Sequence, residues 1–381
     1  MNMSTVIIKE VSSKKDLDAF ICFNYELYKG NEYAVPDLYF DMVATFDPKK
    51  NASLDFCEMQ LFLAYRDGKV VGRVGAFINQ RANETWNVKN VRFGWIDFID
   101  DEEVSKALLD TVRDWGAKRG MTAMQGPLGM TDMDPEGMLI EGFDKIGTMA
   151  TIYNYPYYPA HMDKYGMEKD ADWIEMRIPV PDKVPEKYTR VSELTLKRHN
   201  LRIKKLNGKK DLFGRGYGQK IFDLINESYA PLFGYSKMTQ KQIDGYVKNY
   251  LPLVDMRMVT LVEDVDTNEV VAVGVSMPSI VRALQKAGGK LFPFGWFHVL
   301  KSLKWKHEEG VELLLVAVKP EYQNKGVNAL LFADLIPIYQ KMGFKWAETN
   351  PQLEFNVKGQ AQWQYLEHTV PKRRRCYKKD I

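Results

Sequence analysis

The chain has 381 residues, 45% apolar and 12% aromatic, with 53 Lys+Arg against 50 Asp+Glu and a net charge of +3. That composition excludes a mostly disordered chain, and no run reaches the ~18 uninterrupted apolar residues of a membrane span. Cys22, Cys57 and Cys376 are far apart and odd in number, which excludes a disulfide framework; with no CxxC pair and no signal-peptide pattern, the expectation is a reducing, cytoplasmic setting and no metal site.

Alternation and turn residues predict a strand over Thr5–Val11 and a helix from Lys14 to about Lys29. Leu61–Arg66 and Lys69–Asn79 read as a hairpin closed by Asp67-Gly68, and Phe93–Phe98 as a further strand. Val104, Leu108, Val112 and Trp115 lie near helical spacing in a helix that ends at Gly120. Thr122–Gln125 is a short strand. A dense segment follows, Gly126–Trp173, with Asp132, Asp134, Glu136, Glu141 and Asp144 in its loops. These carboxylates suit caps and turns around Pro135 and Gly137, or contact with an amine substrate; their spacing does not fit a calcium loop.

The stretch 178–200 carries three prolines and then polar residues, so it reads as a connection. The predicted layout is a domain at 1–185, a linker at 186–200 and a second domain at 201–381. In the second, Leu201–Leu206 is a strand, and Gln219–Tyr229 and Gln240–Tyr250 are helices. Met258–Glu263 and Val270–Met277 form a hairpin, Val311–Val318 is a long apolar strand, Val327–Met342 a helix ending at Gly343, and Lys345–Thr349 a strand. Strand, helices, hairpin, strand, helix, strand thus occurs twice, which predicts an internal duplication of an α/β unit with a mixed sheet. Phe213–Gly218, FGRGYG, follows a charged stretch rather than a strand, so it fails the context of a dinucleotide loop.

Charge is unevenly divided. Residues 1–190 hold 23 Lys+Arg and 31 Asp+Glu, whereas 191–381 hold 30 and 19, which suits an anionic ligand in the second half. The informative stretch there is LLLVAVKPEYQNKGVNALL, 313–331. A strand ends at Val318, Pro320 stops it, and Gln323-Asn324-Lys325-Gly326-Val327-Asn328 leads into a helix. Free amides at a helix N-terminus beside a lysine form an anion site.

This stretch resembles motif A of the GNAT acetyltransferase superfamily, V-x-P-x-x-[QR]-x-x-G-x-[GA], with Gln323, Gly326 and Asn328 at its signature positions. Asn328 departs from the small residue of the pattern. The resemblance implies two GNAT-like domains in tandem and acetyl-CoA or another acyl-CoA as co-substrate. The diphosphate would lie on Gln323–Asn328, and the pantetheine arm on the amides of Val316 and Val318. It implies acyl transfer to a small-molecule amine, with Glu348 or Glu354 as base and Tyr365, on a late helix, as proton donor to the thiolate. A catalytically inactive binding or sensing module is the alternative. The first half reads IDDEEVSK after Phe98, and its carboxylates would repel a diphosphate, so that copy is expected to keep the fold and not the cofactor.

Two further features carry charge. The insertion 279–307 contains KLFPFGWFHVLKSLKWK, a basic, aromatic, amphipathic helix. It suits a membrane surface or the wall of an acyl pocket, but the favoured reading is an apolar face packed onto the protein. The tail KRRRCYKK, 372–379, lacks the recognition helix or exposed aromatics of a nucleic-acid site and reads as a final strand near the cofactor's phosphates. No nucleic-acid partner is expected, and oligomeric state is not legible.

Overall fold

A computed structural model describes residues 5–381. The chain forms two compact units. Unit 1 comprises residues up to Ile174 together with Ile280–Lys301 and Pro371–Ile381; unit 2 comprises Glu175–Ser279 and Ser302–Val370.

In chain order, unit 1 begins with β1 (Ile7–Glu10), α1 (Lys14–Leu27), α2 (Tyr39–Thr45), β2 (Cys57–Arg66) and β3 (Lys69–Asn79). It continues with α3 (Gln80–Trp86), β4 (Asn90–Phe98), α4 (Glu102–Ala117), β5 (Ala123–Gly126), β6 (Met138–Glu141) and α5 (Tyr157–Tyr165). Strand β7 (Glu168–Pro179) gives residues 168–174 to unit 1 and 175–179 to unit 2. Unit 2 continues with α6 (Glu186–Arg198), β8 (Leu201–Lys204), α7 (Tyr217–Tyr229), α8 (Gln240–Asn249), β9 (Val259–Asp264) and β10 (Val270–Pro278). The insertion forms α9 (Val281–Ala287) and α10 (Gly295–Lys304), and unit 2 resumes with β11 (Gly310–Val318), α11 (Val327–Met342), β12 (Trp346–Thr349), β13 (Gln352–Leu353) and α12 (Val357–Gln360). Strand β14 (Thr369–Asp380) ends the chain.

Each unit repeats the predicted order. In unit 1 the sheet runs β1-β2-β3-β4-β5-β14, with β4 and β5 parallel and the other neighbours antiparallel. In unit 2 it runs from the end of β7 through β12-β11-β10-β9-β8, with β11 and β12 the parallel pair. The fold is α/β with mixed sheets, duplicated. Helix α4 lays Val104, Leu108 and Val112 on Phe62, Val74, Val91 and Phe93 in unit 1. Helix α11 lays Val327, Leu330 and Leu331 on Val262, Val271 and Ala272 in unit 2.

Three expectations differ from the structure. The stretch 186–200 is mostly helix α6, not a linker, and it packs along α11 within unit 2. Its inward face is Tyr188, Ser192 and Thr195, small or polar enough to hide the apolar period. The second domain is not continuous either, because 280–301 and 371–381 belong to unit 1. There Gln285 Nε2 donates to the carbonyls of Glu32 (3.0 Å) and Ala34 (2.9 Å), and Tyr377 pairs with Gly126. Finally, the region of Tyr365 is not a long helix: α12 stops at Gln360, a 3-10 turn covers Ala361–Trp363, and Tyr365 lies in the turn beyond.

The basic tail is strand β14, and its charges are engaged inside unit 1. Arg374 is buried and donates to the carbonyls of Gly137 and Ile152; Lys372 Nζ donates to Ile146 O (3.1 Å). Arg375 grips Asp172 with two hydrogen bonds of 2.9 and 3.1 Å. Truncating a buried guanidinium leaves those carbonyls without donors and opens a void, so Arg374→Ala should lower the unfolding free energy by about 2–4 kcal/mol. Lys378→Ala, on the same strand but only partly buried, should change it by less than about 0.5 kcal/mol in the same urea titration.

Candidate functional site

In unit 2, β11 pairs with β12 from Gly310–Trp346 to Leu313–Thr349 and no further. On its other edge the register with β10 slips between Val275 and Ser276, leaving Leu314 as an extra residue. A bulge of this kind bends the strand. Past it, β11 has no strand opposite its β12-side edge. The carbonyls of Val316 and Val318 accept from Tyr229 Oη (3.1 Å) and Ser228 Oγ (3.1 Å) on α7. In an antiparallel ladder a residue exchanges both backbone groups with its partner or neither. The N–H groups of Val316 and Val318 therefore face the open edge too.

The strand runs into the loop at Lys319, whose ammonium pairs with Glu269 (2.7 Å) and Glu321 (3.1 Å). Asn324 (φ 60°) and Gly326 (φ 80°) are left-handed and turn the chain into α11. Gly326 caps the helix without a side chain, Lys325 is exposed, and Ala329 N–H turns back to Gly326 O (3.0 Å). The amides of Val327 and Asn328 precede it in the first turn, where a helix supplies no acceptor. The Asn328 amide oxygen is buried without a hydrogen-bond partner. Since amide O and N are interchangeable by a flip, the same spot can present a donor. Gly326 is constrained from a second side: a Cβ there would lie 2.7 Å from Val191 and 2.8 Å from Thr195 of α6.

An apolar cavity of about 40 Å³ opens beside this edge, lined among others by Val275, Leu313, Val316, Phe332, Ala347 and Trp363. Phe332 lies one turn beyond Asn328 on the same face of α11. Ala347 and Leu313 look into the cavity, so alternation places their neighbours Glu348 and Glu312 on the opposite face of the sheet. Both are buried and lie side by side in register. Glu348 also pairs with Arg177 of β7 (Nε–Oε2 3.6 Å), and Ser279 Oγ donates to Glu312 Oε1 (2.9 Å). Glu354 is exposed in a turn. Tyr365 is exposed, edge-on to Tyr188 of α6 at 5.8 Å, with Lys187 Nζ 3.7 Å over its ring.

Unit 1 treats the same positions differently. At its β4–α4 junction the Asp101 carboxylate accepts from the amides of Glu103 (3.0 Å) and Val104 (3.2 Å), and Arg66 is bound to Asp101 and Glu103. The helix N-terminus is thus filled by the chain's own anion. Between the diverging ends of β4 and β5 lies a cavity of about 350 Å³, lined by Trp95, Asp97, Pro127, Tyr28, Tyr158 and Asp37 among others. Arg73 and Asp97 form a buried ion pair at 2.6 Å, and Asp97 also accepts from Tyr28 Oη (2.9 Å) and Asn24 Nδ2 (3.0 Å). No hydrogen bond or ion pair among the described residues reaches the Asp37 carboxylate. Burial pushes its pKa up to about 6, against the pull of Arg73. Nearby, burial and the neighbouring Asp132 hold the Glu136 carboxyl well above the usual range. The described residues contain no group of three His, Cys, Asp or Glu side chains placed to hold a metal ion.

No family model matches the chain. Two curated proteins are similar over most of its length. Protein YghO of Escherichia coli is 26% identical over 332 residues, 87% of this chain and 83% of that protein. The bacterial ceramide synthase of Caulobacter vibrioides is 26% identical over 333 residues, 84% and 82%. Among solved structures, a tandem GNAT protein from the clavulanic acid biosynthesis pathway superposes with a TM-score of 0.57, 11% identity and 98% coverage of both chains. The chain has the tandem GNAT fold.

Within this GNAT fold the structure brings Val316, Val318 and Gln323–Asn328 together as one continuous edge and loop. It does not give Glu348, Glu354 and Tyr365 a common environment: the first is buried, the other two are exposed. Sequence reasoning passed over Arg177, Asp37 and the Arg73–Asp97 pair. Arg73 and Asp97 did carry a signal, a charge flanked by apolar residues within a strand; Asp37, in a loop, carried none.

Burial holds the Asp37 carboxyl above the usual range of an aspartate, so ionising it costs the folded state stability. That cost is absent at low pH and grows as pH rises from about 4 to about 6. Asp37→Asn should therefore be more stable than the parent protein at pH 7.5, with the difference vanishing near pH 4. Paired thermal melts across that range check it; a less stable variant at pH 7.5 would show that the carboxylate has a cationic partner.

Proposed function

We propose that the chain is an N-acyltransferase that moves an acyl group from coenzyme A to a small-molecule amine, using unit 2. The observation that carries this is the open edge of β11 running straight into an uncapped helix N-terminus. Amides at Val316 and Val318 suit the amide groups of a pantetheine arm, and those at Gly326–Asn328, with Lys325 beside them, suit a diphosphate. The apolar cavity beside Phe332 and Val316 suits the acyl or pantetheine methylenes. The tandem GNAT fold supports the class of reaction, and so does the similarity to a protein named as a ceramide synthase. A ceramide is an amide of a long acyl chain and a long-chain amine, which favours a long acyl donor over acetyl.

In this reading the amine nitrogen attacks the thioester carbonyl. A C–N bond forms, the C–S bond breaks, and the proton lost by nitrogen ends on sulfur. Glu348 is the proposed base, since Arg177 holds it in place and it lies on the face of the sheet away from the acyl cavity. Glu354 and Tyr365 are the other proposed groups, Tyr365 as proton donor to the thiolate, and both sit where solvent reaches them. A binding or sensing module without activity is the competing reading, favoured by the close packing of α6 on Gly326. It predicts acyl-CoA binding with no release of free thiol.

Asn328→Asp separates folding from binding. An acidic residue in the first helical turn favours the helix while burial of its oxygen opposes the charge, so the melting temperature should change by only a few degrees. The same charge opposes a diphosphate a few ångströms away and should weaken acyl-CoA binding about tenfold or more. Calorimetry with acetyl-CoA and palmitoyl-CoA reads both. Equal affinity in parent and variant would remove the diphosphate from this loop.

A further inference from the structure

The insertion, predicted to pack its apolar face onto the protein, does so through Val299, Leu300 and Leu303 and leaves its aromatics exposed. In unit 1, Phe292 and Phe294 are 82% and 75% exposed, and Trp296 and Phe297 are each 44% exposed. Four large aromatics within six residues, all facing water, are abnormal for a soluble surface, where apolar side chains are scattered singly.

The segment is nonetheless built. Gly289 O accepts from Tyr39 N (2.8 Å), Trp296 N donates to Leu291 O (2.8 Å), and Phe297 N donates to Phe294 O (3.1 Å). The Trp296 indole N–H is held by Pro293 O (3.1 Å). Gly295 has no room for a side chain, since a Cβ would lie 1.9 Å from Lys290 O. The half-buried residues of α10 are His298, Val299, Leu300 and Leu303, and Ser302 is buried, so the helix is seated through those, with the rings of its first turn exposed.

Charge completes the pattern. Exposed Lys286, Lys290 and Lys301 flank the aromatics in sequence. From Val270 to His307 the sequence contains no Asp or Glu, while Arg282, Lys286, Lys290, Lys301, Lys304 and Lys306 fall within it. Protein–protein interfaces are depleted in lysine. Exposed aromatics flanked by lysines, with no acid near in sequence, match a surface that is apolar a few ångströms down and anionic on top.

We propose that the aromatic knob at Phe292–Phe297, with its flanking lysines, docks the protein on the surface of an anionic lipid bilayer. The rings enter the headgroup–acyl boundary and the ammonium groups meet lipid phosphates. No helix among the described residues is long and apolar enough to cross a membrane, so the contact is peripheral and reversible. This docking does not depend on the acyl-transfer reading and its test involves no acyl-CoA.

The test is co-sedimentation of the full chain with vesicles of phosphatidylcholine alone or mixed with phosphatidylglycerol. The parent protein should partition onto the anionic vesicles, with a blue shift in tryptophan emission, and weakly onto neutral ones. Phe292→Ser/Phe294→Ser removes two exposed rings and no internal contact. It should keep the melting temperature and weaken vesicle binding about tenfold or more. Lys286→Gln/Lys290→Gln should lower binding to anionic vesicles and leave neutral ones unchanged. The proposal is overturned if the parent does not bind anionic vesicles, or if the Phe double variant binds as well as the parent. It is overturned equally if the parent is a dimer that this variant turns into a monomer while vesicle binding is absent, which would assign the knob to a second copy.

Discussion

Both units depend on one geometric constraint, a parallel strand pair that holds for three or four residues and then separates. In unit 2 the pairing of β11 with β12 stops at Leu313–Thr349, and in unit 1 that of β4 with β5 stops at Arg92–Gln125. A register slip on the other edge of each central strand, at Val275/Ser276 and at Arg73/Gly75, bends it away. Parallel strands that part leave backbone groups without partners, and those groups must find side chains, water or a ligand. In unit 2 the carbonyls are met by Ser228 and Tyr229 and the amides stay open. In unit 1 the gap has become a polar cavity, with Trp95, Ile96 and Asp97 of β4 on its wall.

Charge distribution along the chain misled where it was read by halves. The excess of cations after residue 191 suggested an anionic ligand throughout the second half. Yet the basic run at 372–379 belongs to unit 1, where Arg374, Lys372 and Arg375 satisfy carbonyls and Asp172. Another part of the excess lies in the insertion, exposed around an aromatic knob. What remains near the β11–α11 loop is mainly Lys325, since Lys319 is already paired. The local sequence pattern, not the balance of charge, is what points to that loop.

The elements that sequence reasoning located share a cause. Helix α11 was placed at Val327–Met342, because left-handed glycines 326 and 343 mark both its ends and its apolar residues are dense. The first hairpin followed from its Asp67-Gly68 turn. The losses also share a cause. Helix α6 packs through Tyr188, Ser192 and Thr195, so no apolar stripe announced it. The exchange of β14 into unit 1 rests on pairings such as Tyr377 with Gly126, which join residues about 250 apart and leave no local trace. The loop at 323–328 was legible because a run of free backbone amides at a helix start is a local feature of the sequence. The buried cluster of Glu312, Glu348 and Arg177, by contrast, is assembled from three separate strands and leaves no local pattern.

The two strand–helix junctions differ in what stands at the helix N-terminus. Gly326 offers α11 no side-chain cap, and its first turn holds a neutral Asn328 with Lys325 just before it. Asp101 fills the corresponding place on α4, followed by Glu102 and Glu103 in the first turn. An anion at α4 would have to displace a carboxylate already bound to two amides and to Arg66, and then face two more. The same partial positive charge of a helix end therefore stabilises the fold in unit 1 and is left available in unit 2. With its helix end closed, unit 1 retains a cavity in which Arg73 offsets Asp97 and Asp37 is left over. That surplus of negative charge makes the unit 1 cavity better suited to neutral or cationic groups than to an anionic ligand.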